Sequence, residues 1–78
     1  MRFFAGRWEA HIWIKALGRQ VYLGGFENEE LAAEAYDVAV LHSKGWCADT
    51  NFDKARYRDL FPVVEDMDFQ EVVHLIRK

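Results

Sequence analysis

The chain has 78 residues and a mass of 9.2 kDa, which leaves room for one core and excludes a second. It is 51% apolar and 15% aromatic, too rich in large side chains to stay disordered. Its net charge of -3 divides into +3 over residues 1–24 and -6 over residues 25–78, so a polyanion would meet the first third of the chain.

A lone cysteine, Cys47, permits no internal disulfide, and His11, His42 and His74 match no zinc spacing. No apolar run approaches the roughly 18 residues of a membrane span. The start, with Arg2 and Arg7 around a short Phe pair, does not read as a signal peptide. The chain is therefore expected to be soluble and intracellular.

Residues 1–4 end at Ala5-Gly6, a plausible turn, and read as the remnant of a short strand. From Arg7 to Ile14, Trp8, Ala10, Ile12 and Ile14 alternate with Arg7, Glu9, His11 and Trp13, which predicts a strand with two unlike faces. Lys15 to Gly18 makes a short connection. Arg19 to Leu23 alternates again, with Val21 and Leu23 on one side and Gln20 and Tyr22 on the other, completing a hairpin.

Asn28 followed by Glu29 and Glu30 places an N-cap and two carboxylates at the positive end of a helix dipole, predicting a helix over about 29–43. Along it Ala32, Ala35, Tyr36 and Ala39 share one face, and such small residues let a helix axis approach a sheet. Gly45 is the natural stop. Asn51, Asp53 and Pro62 mark an irregular return, after which Asp68 and Glu71 form a capping box before Phe69, Val72, Val73 and Ile76. That predicts one short helix closing the chain.

The outward parity of the hairpin gathers Arg7, Glu9, His11 and Trp13 with Gln20 and Tyr22, a donor-rich surface carrying two aromatic faces. A sheet with one buried face gains nothing by exposing Trp13 and Tyr22 unless something binds there. Such a sheet can lie in a major groove, offering Arg and Gln to base edges and aromatic rings to sugars and methyls. Tyr36-Asp37 with His42 about one turn beyond suggests an acid and base pair, yet no nucleophile, phosphate loop or metal spacing accompanies it, and no enzyme is expected.

Four linked motifs, in order, give the chain a family likeness: Gly6-Arg7-Trp8-Glu9-Ala10-His11-Ile12-Trp13; Gly18-Arg19-Gln20-Val21-Tyr22-Leu23-Gly24-Gly25-Phe26; Ala32 to Ala39; and Gly45 through Ala48 to Asn51-Phe52. Over about residues 6–53 the chain resembles the Apetala-2/ethylene-response-factor DNA-binding domain of plant and algal transcription factors. Residues Met67-Asp68 to Arg77-Lys78 look like the tail of the double-domain Apetala-2 branch.

The resemblance implies an α+β fold, in which a three-stranded antiparallel sheet with a truncated first strand packs on one α-helix. Residues 1–53 would form the DNA-binding domain, and residues 54–78 a C-terminal extension with a short helix. It further implies sequence-specific binding of double-stranded DNA by a nuclear transcription regulator, the sheet face sitting in the major groove. The partners would be DNA and other transcription proteins, with a monomeric chain and no cofactor, metal or small-molecule substrate.

By position, the family's base-contacting places fall on His11, Trp13, Gln20 and Tyr22, with Arg7 and Arg19 holding phosphates. Glu9 shares the sheet face, while Arg2 and Lys15 add cations. Tyr36 matches a helix tyrosine that reaches the DNA backbone, and Asn51 an asparagine whose side chain ties its loop to the sheet.

The pattern departs from the family twice. The family's first strand carries an Arg-Gly-Val segment with further arginines, of which only Arg2 stands before the turn. His11 and Trp13 replace the acidic and basic pair common in the ethylene-response branch, so that branch's GC-rich target is not expected. The rival expectation is a degenerate or truncated copy acting as a protein-interaction module through Trp13 and Tyr22.

Overall fold

The computed structural model describes residues 2–77, so that Met1 of the expected first strand and Lys78 of the extension lie outside the described residues. Strands β1 (Arg2–Phe4), β2 (Arg7–Ile14) and β3 (Arg19–Phe26) form an antiparallel sheet in the order β1-β2-β3. Helix α1 (Glu29–Lys44) packs behind β2 and β3. A 3-10 turn (Lys54–Tyr57) and helices α2 (Phe61–Glu65) and α3 (Phe69–Ile76) complete an α+β fold.

Ala5 and Gly6, at φ of 54° and 83°, turn β1 into β2. Both lie in the left-handed region that two-residue hairpin turns require. The β2–β3 pairing sets Trp13 opposite Gln20, Ile12 opposite Val21 and His11 opposite Tyr22. Odd residues of β2 thus share the outward face with Gln20 and Tyr22. Ala10, Ile12, Ile14 and Leu23 fall on the buried side.

The sequence pattern ends β3 at Leu23, whereas the strand continues to Phe26. Leu23 is the extra residue of an irregularity between Ala10 and His11, after which Gly24 faces Ala10 and Phe26 faces Trp8. A bulge of this kind bends its strand and lets pairing continue beyond the break in alternation.

Helix α1 starts where Asn28 Oδ1 accepts the backbone N–H of Leu31 at 2.8 Å, and it stops where the Gly45 N–H donates to the Leu41 carbonyl at 2.8 Å. Ala32, Ala35 and Ala39 are buried, as are Val38, Val40 and Leu41. A helix apolar on several sides is a helix covered on several sides. The sheet covers one flank of α1 and the C-terminal extension the other, since Tyr57, Val64 and Val72 join the same core as Ala10, Ile12 and Leu23.

Pro62 corrects the sequence reading in a second place. Instead of marking an irregular return, it stands in the first turn of α2, where its missing N–H costs nothing and its fixed φ suits a helix. The extension accordingly holds two helices rather than one. The Asp68 and Glu71 capping box opens α3, with both reciprocal hydrogen bonds formed.

Asp37, on α1, is fully buried. Its Oδ1 accepts from the backbone N–H of Asn51 at 2.7 Å and from Asn51 Nδ2 at 3.0 Å. Its Oδ2 accepts from the Phe52 N–H at 3.0 Å and the Tyr57 hydroxyl at 2.6 Å. Burial, and then the bond to Asp37, push the Tyr57 phenol above its ordinary range. Asp37 therefore fastens the loop after α1 and the extension to the helix, and the Asn51 side chain ties its loop to α1 rather than to the sheet.

Candidate nucleic-acid interface

With α1 occupying the back of the sheet, the front is left to the outward residues of three strands. Trp13 is 55% exposed and Tyr22 43%, two large rings open to solvent on neighbouring strands. His11 and Tyr22, opposite each other in register, hold their ring centroids 5.2 Å apart at a tilt of 56°. Cross-strand aromatic pairs of this separation stiffen the face that they cover.

Charge is ordered on the same face. Arg2 Nε donates to Glu9 Oε1 at 3.0 Å, and the Nε2 of His11 stands 3.7 Å from the same oxygen. The Arg2 guanidinium also lies 5.1 Å from the Phe4 ring centroid. Glu9 thus has a cation on one side and an imidazole on the other, and its free lone pairs could accept from a cytosine amino group. The Arg7 guanidinium donates to the Gly25 carbonyl at 2.8 Å, which holds its long side chain across the strand pair.

Of the residues singled out from sequence, the sheet brings Arg2, Arg7, Glu9, His11, Trp13, Gln20 and Tyr22 together through strand register. Lys15 lies in the connection between β2 and β3, and Arg19 begins β3, both exposed. Tyr36 stands apart, half-buried on α1 and packed against the core. The four cations Arg2, Arg7, Lys15 and Arg19 face a single carboxylate, Glu9, a balance opposite in sign to that of the whole chain.

Two further side chains that sequence reasoning passed over also stand at this face. Phe4 was hidden in a segment too short for periodicity, and it is 58% exposed. Arg77 follows α3, and its guanidinium comes 5.8 Å from the Tyr22 ring centroid. Nothing local to residue 77 signals this, because α3 reaches the β3 edge only through the packing of the extension.

No family model matches the chain. Among curated proteins, it is 44% identical over 73 residues to "APETALA2-like protein 2" of Oryza sativa subsp. indica, covering 94% of this chain. It is 43% identical over 84 residues to "AP2-like ethylene-responsive transcription factor ANT" of Arabidopsis thaliana, covering 96% of this chain. The chain spans only 16% and 15% of the lengths of those two relatives.

Proposed function

We propose that this chain, which belongs to the AP2/ERF domain family, is the DNA-reading part of a transcription regulator that works in the nucleus. Its outward sheet face lies in the major groove of double-stranded DNA. Arg2, Arg7, Lys15 and Arg19 hold phosphates on either side, while Glu9, His11, Trp13, Gln20 and Tyr22 meet base edges, methyls and sugars. Tyr36 serves the backbone from α1. Residues 1–53 carry this function, and residues 54–78 support it.

The observation that carries the reading is the sharing of faces. Arg7 and the exposed rings of β2 and β3 fall on the side that α1 leaves open, the apolar residues fall on the other, and Arg19, paired with Ile14 at the start of β3, is the one cation of these two strands with the inward parity. An enzyme would need convergent acid, base and nucleophile. The one pair suggested by sequence, Asp37 and His42, is instead committed to structure: Asp37 to the loop and Tyr57, His42 through Nε2 to the Met67 carbonyl at 2.6 Å.

Salt supplies the test. Each phosphate contact contributes about 0.9 to the slope of log affinity against log salt, so Arg2, Arg7, Lys15 and Arg19 together supply a slope of roughly 4. Titration of a random-site duplex pool at several salt concentrations measures it. Absence of DNA binding, with retention of a protein partner at high salt, would favour the interaction module instead.

Trp13→Ala and Tyr22→Ala should each weaken DNA binding by about 1 to 3 kcal/mol, with little change in the thermal melt. Both rings are exposed, so their loss removes little buried area. Unfolding by either substitution would show that the ring belongs to the core.

A further inference from the structure

The glycine pair at the end of β3 does more than offer Arg7 a carbonyl, since each glycine clears room for an arginine side chain. A Cβ on Gly25 would stand 2.9 Å from Arg7 Nε and 3.3 Å from the Tyr22 hydroxyl oxygen. A Cβ on Gly24, whose φ of 131° already disfavours a side chain, would stand 3.3 Å from Arg77 Cγ. The two arginines thus approach one stretch of bare backbone from opposite ends of the chain.

Between them opens a cleft of about 440 Å³, lined among others by Arg7, Tyr22, Gly24, Gly25, Glu27 and Arg77. Arg77 pairs with no carboxylate among the described residues, and its guanidinium is turned toward Tyr22 instead. Glu27 is the sole acidic side chain of the cleft, against two guanidinium groups and a phenol. The sum is cationic and rich in N–H donors. Planar guanidinium groups beside a hydroxyl suit the oxygens of a phosphate diester.

We propose that Arg77, Arg7 and Tyr22 form a phosphate-holding cleft on the β3 edge of the sheet, so that the C-terminal extension is itself part of the DNA-binding surface. The proposal rests on the DNA-reading function above. It assigns the extension a second role besides covering α1, since docking α3 delivers a cation to the reading face. Arg77 contributes charge there without sequence information, because a phosphate is the same at every step.

The test compares the wild-type chain with Arg77→Gln and Arg77→Lys, using fluorescence anisotropy of a labelled random-sequence duplex pool. Arg77→Gln should lower the salt slope by about 0.9 and weaken binding roughly fivefold to tenfold near 0.1 M salt. Arg77→Lys should keep the slope, because the charge stays. An unchanged slope for the Gln variant would overturn the proposal while leaving the DNA-reading function intact. Equal loss of slope in both variants, or a Gln variant that fails to fold, would make Arg77 a packing residue and overturn it too. A wild-type chain that binds no duplex would remove the proposed function itself, and this cleft with it.

Discussion

Asp37→Ala should destabilise the chain by about 3 to 5 kcal/mol, the largest loss expected of any single truncation described above. Alanine at this position removes the acceptor for four donors at once: two backbone N–H groups, the Asn51 amide and the Tyr57 hydroxyl. The buried Tyr57 hydroxyl, left without a partner, keeps its full desolvation cost, and the half-buried loop donors lose a charge-assisted acceptor. Small domains have a total stability of about 5 to 15 kcal/mol, so a large share of the folded population is at stake. Urea unfolding at neutral pH measures the change. Asp37→Asn should cost less, since the amide oxygen still accepts while its NH₂ opposes the remaining donors. A neutral Asp37→Ala would mean that the loop at Asn51 and Phe52 finds water instead.

Ile12→Ala should cost roughly 2 to 5 kcal/mol, through lost burial and the cavity left behind. Ile12 is 3% exposed, stands opposite Val21, and lies in the core beneath α1. Its neighbour Trp13 points the other way. The two substitutions should therefore separate cleanly: Ile12→Ala lowers the melting temperature and spares DNA affinity while the chain remains folded, and Trp13→Ala does the reverse. An unchanged melt for Ile12→Ala would turn the sheet over, putting the polar residues of β2 against the helix.

How much of this can be read from residues alone follows from the range of each interaction. Alternation over Arg7 to Ile14, the Asn28 cap and the Asp68–Glu71 box are local signals, each written within a few positions, and each appears in the fold. The end of β3 is not legible, because Gly24 and Gly25 carry no side chain to continue a period. Helix α2 is five residues long, shorter than the window in which a helical period can be recognised. Its Pro62 reads as readily for a turn as for a helix start.

At the candidate site the same division holds. Parity alone groups His11 and Trp13 with Gln20 and Tyr22, because strand register carries it. Asp37 offers no such clue, since an aspartate in a helix ordinarily faces water, and its partners lie 14 to 20 positions away. Arg77 is more remote still. Only the docking of α3 against α1 and the β3 edge brings it to Tyr22.

The sequential order β1-β2-β3 keeps assembly of the sheet inexpensive in chain entropy. Every strand pairs with its immediate successor, and each hairpin closes over a loop of only a few residues. Short loops lose little freedom on closure, and folds built from such neighbours form early and fast. Arg77 must wait for the opposite regime, in which most of the chain is already fixed before α3 can settle beside β3. The rings of the outward sheet face are thus set by local hairpin closure, whereas the place of Arg77 beside Tyr22 depends on the packing of the whole extension. Partial unfolding of the extension would therefore remove one charge from an otherwise complete surface.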